Sequence, residues 1–386
     1  MKLLSTKAGP SWVPVNPANA SESHSAEQIG IFREALVGDL TSLLLSEHLL
    51  VLTGLGTSLC VKDNEGNRLA PTMWDLWRAA EEQTGDEYER IQDQVHFPTK
   101  HEGNIELLLS HCQLSQLLQP KANVDEFIRQ TEATIVDRCR FVGHTMRLPV
   151  HEAFLRKCAR RSTRQSRLKL FTTNYDLCFE TAASHTRFVV VDGFSHTQPQ
   201  VFDGAFFSYD IVRRGHDGSV PDYIPNVFHL YKLHGSVDWE LRNGEVLKEL
   251  ASSRPLLVYP QYGKYESSYS QPFIELMSRY QFELRQANVG VVVIGMGFND
   301  YHISQPLMAA MRSNVSCKLV VVDPSLESSS NPCVTELKSL IRGGDSRVTL
   351  ISGTFEDFVP LLPDLIAPTE AERHVERVQV HRVFSQ

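Results

Sequence analysis

The sequence predicts an α/β fold in which a doubly wound parallel sheet carries an inserted helical module. Short apolar runs of strand length recur along the chain, and each ends in a glycine turn or a polar group. Segments with apolar residues at helical spacing separate several of these runs, as expected for strands and helices that alternate around a parallel sheet. From about residue 73 to 160 the pattern is almost entirely helical, which indicates an insertion.

Composition and charge exclude several classes of protein. Apolar residues make up 42% and charged residues 22% of the chain, which argues against a disordered or fibrous protein. The net charge of −8 gives no overall attraction for nucleic acid, although local basic patches remain possible. The seven cysteines never form a CxxC pair, which disfavours a disulfide framework and a structural zinc site. No apolar run has the length of a membrane span and no signal peptide is evident, so we expect a cytoplasmic protein.

The predicted elements begin with an irregular arm, which we expect up to about residue 24 because this segment is rich in proline and serine. Apolar residues at spacings of three and four predict a helix from about 26 to 46. The first strand, at 49–52, runs directly into a glycine turn. Further strands are predicted at 168–171, 188–191, 227–233, 288–294, 318–322 and 348–351, and the segment 193–225 is expected to be rich in loops.

These elements predict four regions. A Rossmann-like domain comprises residues 45–61 and 168–366, and the helical module is inserted between them at 62–167. An N-terminal arm and helix occupy 1–44, and a C-terminal tail occupies 367–386.

The glycine turn Gly54-Leu55-Gly56-Thr57-Ser58 is typical of a site that holds a diphosphate. Two glycines allow close approach of the backbone to a ligand, and Thr57 and Ser58 add hydroxyl donors beside backbone N–H groups. The same pattern also occurs as a plain turn between a strand and a helix, so the motif alone leaves both interpretations open.

Polar groups follow the other predicted strands. Thr172-Thr173-Asn174-Tyr175-Asp176 follows one strand, His234 follows a second, and Asp323 follows a third. Gly295-Met296-Gly297-Phe298-Asn299-Asp300 forms a second glycine turn. Because the carboxyl ends of parallel strands meet at one edge of a sheet, these groups would converge on a single bound dinucleotide.

Each of these candidates also has a structural interpretation. Asn174 could stabilise a turn, His234 could bond to backbone at a strand end, and Asp176 could form an Asx turn. Asp323 could likewise serve a turn before Pro324.

Asp300 and His302 have the side chains of metal ligands. A third ligand is not evident from the sequence, and helix capping by Asn299 or Asp300 explains these residues better. We therefore expect no bound metal.

Three of the motifs resemble those of sirtuins. The turn at 54–58 is similar to their GAGxS motif, residues 172–176 to TQNxD, and Leu233-His234-Gly235 to the catalytic LHG, in the same order. The turn at 295–299 stands where sirtuins keep a second glycine turn near NAD. The resemblance covers about residues 45 to 360.

The chain also departs from the protein-deacylating sirtuins. It has no cysteine between residues 235 and 294, where those enzymes carry two CxxC pairs for structural zinc, and their proline-aspartate-phenylalanine-arginine turn is missing after Ser58. The LHGSVDW sequence, Tyr259-Pro260 and residues 297–303 instead resemble the zinc-free bacterial sirtuin-like effectors of antiphage defence. This resemblance implies an NAD hydrolase with NAD as substrate, no zinc, and a homo-oligomer that works with a HerA-type ATPase.

The same resemblance implies roles for individual residues. Asn174 would position the attacking water, and His234 would act as a base or as a hydrogen-bond partner of the ribose hydroxyls. The residues expected to bind NAD are Gly54, Gly56, Thr57, Ser58, Thr173, Asp176, Gly295, Gly297, Asn299 and, beside the adenosine, Asp323. Two other functions stay open, an NAD-dependent protein deacylase and an NAD-binding scaffold without activity.

Overall fold

A sheet of nine strands lies at the centre of this computed structural model. The structure describes residues 1–16, 24–214, 222–250, 252, 255–257 and 271–366. The predicted C-terminal tail at 367–386 and the Tyr259-Pro260 pair lie outside these residues.

The strands are numbered in chain order as β1 (Lys2–Ser5), β2 (Gly9–Pro14), β3 (His48–Thr53), β4 (Leu168–Thr172), β5 (Val189–Val191), β6 (Gln200–Val201), β7 (Val212–Arg213), β8 (Asp222–Tyr223), β9 (Val227–Lys232), β10 (Gly235–Arg242), β11 (Glu245–Lys248), β12 (Pro255–Leu257), β13 (Val289–Ile294), β14 (Lys318–Val322) and β15 (Val348–Ser352). The central sheet has the order β2-β1-β15-β14-β13-β3-β4-β9-β5. Every pair from β15 to β5 is parallel, and β1 and β2 extend the sheet by antiparallel pairing.

The helices are α1 (Ala26–Leu44), α2 (Met73–Thr84), α3 (Glu87–Gln94), α4 (Ile105–Leu118), α5 (Ala122–Cys139), α6 (Pro149–Cys158), α7 (Cys178–Thr186), α8 (Phe273–Leu284), α9 (Tyr301–Ser313), α10 (Pro332–Arg342) and α11 (Phe355–Phe358). Local sequence defines where several of them begin. Thr72 and Asp75 form a reciprocal capping box at the start of α2. No helix in the described part of the chain combines the length and the apolar character needed to cross a bilayer.

The inner strands of the sheet are buried on both faces. Along β3, Leu50 and Leu52 pack into one apolar core, whereas Leu49 and Val51 pack into another. Neighbouring residues of a strand point to opposite faces, so the two cores lie on either side of the sheet. This arrangement confirms the predicted α/β fold with a doubly wound parallel sheet.

The N-terminal residues do not form the predicted irregular arm. Residues 2–5 form β1, which pairs antiparallel with β15, and Leu3 and Leu4 are buried in opposite cores. Two of the prolines that suggested an arm, Pro10 and Pro14, lie in β2 at the edge of the sheet, and Pro17 lies outside the described residues. An edge strand tolerates proline because its outer N–H groups have no strand to bond.

The helices between β3 and β4 pack in two different places. Helices α2 to α5 surround a core of their own, which contains Trp77, Tyr88 and Phe127 and also includes Val237 of β10. Helix α6 instead buries Phe154 and Leu155 in one of the two cores that cover the central sheet. The described residues of the segment 193–225, namely 193–214 and 222–225, contain only short elements, in agreement with the loop-rich prediction.

Candidate active site

The candidate site lies at the point of the central sheet from which successive strands are added in opposite directions. From β3 the chain continues to β4 on one side, and it later returns to β13 on the other side. The carboxyl ends of these neighbouring parallel strands carry Gly54, Thr173 and Gly295. Open α/β sheets bind ligands in the crevice that forms at such a switch point.

A cavity of about 700 Å³ opens at this edge of the sheet. Eight of the predicted site residues line it, namely Gly54, Thr173, Asn174, Asp176, His234, Gly295, Gly297 and Asn299. Four others do not, namely Gly56, Thr57, Ser58 and Asp323. The fold therefore brings most of the predicted residues to one cavity.

The two glycine turns pack directly against each other. The N–H of Gly56 donates to the carbonyl oxygen of Gly295 at 3.0 Å. A Cβ atom on Gly56 would lie 2.4 Å from Gly295 Cα, and one on Gly54 would lie 2.7 Å from the Gly295 oxygen. Gly295 also has a φ of +61°, a conformation that favours glycine. In this structure the glycines therefore allow two segments of protein backbone to meet at the edge of the cavity.

Asn174 is held by the first glycine turn. Its Nδ2 donates to Gly54 O and to Ser58 Oγ, each at 2.9 Å, and lies 3.2 Å from Thr57 Oγ1. A carbonyl oxygen can only accept a hydrogen bond, so contact with Gly54 O sets which end of the amide faces the turn. The amide oxygen of Asn174 is then the atom suited to accept from a water or a sugar hydroxyl.

The predicted hydroxyl donors are used inside the protein. Thr57 and Ser58 are fully buried, and Thr57 Oγ1 donates to Gly54 O at 2.9 Å. Ser58 Oγ donates to Asp176 Oδ2 at 2.6 Å, while Asp176 Oδ1 accepts from the N–H of Cys178 at 3.0 Å. The bond to Cys178 is the Asx turn that the sequence left open for Asp176.

Lys232 supports the segment that carries Asn174, and sequence analysis missed this role. The side chain is buried at the end of β9, and Nζ donates to the carbonyl oxygens of Tyr175, at 3.2 Å, and of Asp176. It also pairs with Glu180 Oε1 at 3.1 Å. Burial raises the pKa of Glu180, and the positive charge of Lys232 opposes that shift. The sequence feature that could have indicated this role is a lysine at the end of an apolar strand.

His234 lies in the loop between β9 and β10 and is only 3% exposed. Its Nε2 is 3.1 Å from Nε2 of His302, at the start of α9. A carboxylate oxygen of Asp300 lies within 4.8 Å of one ring nitrogen of each of these histidines. Asp300 occupies the N-cap position of α9, but its side chain makes no capping hydrogen bond. The third potential ligand that the sequence did not show is thus His234.

The helical module provides the opposite wall of the cavity. Trp74, Lys100, His101 and Asn104 line it, and Gly103 lies against the Trp74 ring. None of these side chains was predicted as a site residue, because only the packing of the module onto the sheet places them there. Cys139 also lines the cavity, but burial raises its pKa to about 12, so this thiol is a poor nucleophile.

Asp323 is at the carboxyl end of β14, outside the cavity lining. Its Oδ1 accepts hydrogen bonds from Ser325, at 2.8 Å from the N–H and 2.6 Å from the hydroxyl. The carboxylate therefore stabilises the turn after the strand.

Residues 168–329 match the family model of the SIR2-like domain. The SIR2-like segment starts at β4 and contains Asn174, His234 and Asp300, whereas β3 and its glycine turn precede it. No curated protein sequence matches this chain.

Two solved structures are among those similar to the chain. One is described as "Structural Basis for the Mechanism and Regulation of Sir2 Enzymes"; it has 14% identity and a TM-score of 0.38, over 90% of this chain and 99% of that one. The other is described as "Sir2-p53 peptide-NAD+"; it has 13% identity and a TM-score of 0.39, over 83% of this chain and 94% of that one.

Proposed function

We propose that this protein is an NAD glycohydrolase, which cleaves NAD to nicotinamide and ADP-ribose. The observation that carries the proposal is that Asn174 and His234, which belong to separate sirtuin-like motifs, line the same cavity at the switch point of the sheet. The match of residues 168–329 to a SIR2-like domain supports NAD as the ligand.

The cavity has the size and the groups that a dinucleotide requires. Its volume of about 700 Å³ falls within the range of small-molecule sites. The turns at Gly54 and at Gly295 border it, and Lys100 offers a positive charge for the diphosphate. Asp323 binds Ser325 through Oδ1, and its second carboxylate oxygen could accept from a hydroxyl of the adenosine ribose, a contact that we retain as part of the proposal.

The reaction breaks the bond between C1′ of the ribose and the nicotinamide nitrogen, and it forms a bond from C1′ to a water oxygen. Nicotinamide leaves as a neutral molecule, and the transition state resembles an oxocarbenium ion. The enzyme must therefore orient the water and stabilise positive charge on the ribose.

Asn174 and His234 meet these needs in different ways. The amide oxygen of Asn174 accepts a hydrogen bond from the attacking water, while its Nδ2 is anchored to the glycine turn. His234 accepts the proton that the water loses or bonds to the ribose hydroxyls. Lys232 acts through the backbone of residues 175 and 176 and is a positioning residue.

The decisive experiment incubates the purified chain with NAD and separates the products by liquid chromatography. We expect nicotinamide and ADP-ribose from the wild type, and a loss of at least about a hundredfold in kcat for Asn174→Ala and His234→Ala. Asn67→Ala and His196→Ala, at exposed positions, are matched controls that should retain activity. Full turnover by folded His234→Ala would contradict the assignment.

The same assay distinguishes the other functions. An acetylated peptide that yields O-acyl-ADP-ribose would instead identify a deacylase, and NAD binding without any product would identify a scaffold. The absence of cysteine between residues 235 and 294 removes the zinc module of the deacylating enzymes and favours hydrolysis.

We further propose that the enzyme is a cytoplasmic antiphage-defence effector that forms a homo-oligomer and is activated by a HerA-type ATPase. The support is the resemblance of LHGSVDW and of residues 297–303 to such effectors. Light scattering of the chain alone and mixed with a candidate ATPase, together with NAD turnover of each sample, tests both assembly and activation.

A further inference from the structure

We propose that His234, His302 and Asp300 form a binding site for a divalent transition-metal ion on the wall of the cavity. Two imidazoles and one carboxylate are a donor set that suits zinc and its first-row neighbours. The sequence offered only Asp300 and His302 for such a site, and the fold adds His234 from the loop before β10.

The distances fit a single ion. The Nε2 atoms of His234 and His302 are 3.1 Å apart, and their ring planes are inclined by 24°. With Zn–N bonds of about 2.0–2.1 Å, two imidazoles on one tetrahedral ion have nitrogens about 3.3 Å apart. The observed separation therefore differs from the required one by a few tenths of an ångström. An Asp300 oxygen is within 4.8 Å of one ring nitrogen of each histidine.

The site has a route of entry and an open coordination position. Asp300 and His302 are half-buried, and Asp300 and His234 both line the cavity. Three protein ligands leave the fourth position of a tetrahedral ion for water. Regular secondary structure holds the backbone of both histidines in place. His302 is in the first turn of α9, and His234 is between β9 and β10.

Occupation of this site would regulate the enzyme, an inference that rests on the proposed function. An ion bound to Nε2 of His234 takes the lone pair with which that nitrogen would accept a proton or a hydrogen bond. Metal binding and NAD cleavage would then exclude each other, and zinc would act as an inhibitor.

The test of the site is calorimetric titration of the metal-free full-length chain with Zn²⁺ alone. We expect one ion per chain, and binding weakened at least about tenfold in His302→Ala and in Asp300→Asn. His101→Ala is the matched control, because His101 lines the same cavity but is outside the cluster. Circular dichroism establishes that each variant is folded. Absence of zinc binding by the wild type, or equal binding by all variants, would overturn the site.

NAD turnover in a chelator and at increasing Zn²⁺ tests the consequence. Inhibition should follow occupancy of the site, and each variant, compared with its own zinc-free rate, should need at least about tenfold more zinc. Zinc that fills the site without slowing turnover would refute the inhibitory role. Cleavage of NAD without zinc binding would refute the metal site but not the proposed hydrolase. Zinc binding without any cleavage would refute the proposed hydrolase but not the metal site.

Discussion

Replacement of Gly56 by alanine tests whether the contact between the two glycine turns holds the site together. The new Cβ would lie 2.4 Å from Gly295 Cα and 3.2 Å from Gly295 O. Carbon atoms in good contact are about 3.5–4.0 Å apart, so one of the two backbones must shift by more than about 1 Å. No flexible side chain is available to yield, because both contacting atoms belong to the backbone.

We expect Gly56→Ala to lower the free energy of unfolding by about 1–3 kcal/mol, the usual cost of overpacking. It should also raise KM for NAD, since Gly54 and Gly295 both line the cavity. Urea unfolding followed by circular dichroism measures the first effect, and NAD turnover measures the second.

Gly38→Ala is the control, because Gly38 is within α1 and its Cβ would meet nothing within 4 Å. It should stabilise the protein by up to about 1 kcal/mol. Wild-type stability and an unchanged KM in Gly56→Ala would refute the proposed role of the contact.

Three further predictions concern buried charges and the adenosine side. Lys232→Met leaves Glu180 without its buried partner, so we expect a loss of about 3–5 kcal/mol of unfolding free energy. The double variant with Glu180→Gln should recover part of this loss. If chemical denaturation shows no recovery, the pairing is contradicted. Asp323→Ala should raise KM for NAD more than it lowers kcat. An unchanged KM would mean that Asp323 only stabilises the turn with Ser325. Burial lowers the pKa of His151 to about 4, and within the described residues neither ring nitrogen has a hydrogen-bond partner. Because protons then bind better to the unfolded chain, stability should fall from about pH 6.5 towards pH 4 by up to about 1.4 kcal/mol per pH unit. His151→Phe should reduce that fall in unfolding experiments at pH 7 and pH 5, and an equal fall would contradict the account.

Local pattern was sufficient for most of the fold. The apolar run before Gly54 and the valine-rich run before Gly295 predicted the strands β3 and β13, because continuous apolar sequence suits a strand buried on both faces. Their pairing side by side is a finding of the structure. The prolines near the N-terminus misled the prediction, since an edge strand and an irregular arm accept the same residues.

The sequence by itself determined the strand ends, the glycine turns and the presence of Asn174 and His234, because each depends on residues that are neighbours in the chain. Only the tertiary structure decided that Ser58 bonds to Asp176, 118 residues away, and that His234 meets His302, 68 residues away. It also placed Trp74 and Lys100 across the cavity. Such contacts depend on how helices and strands pack, and many pairings of distant residues are compatible with the same local pattern.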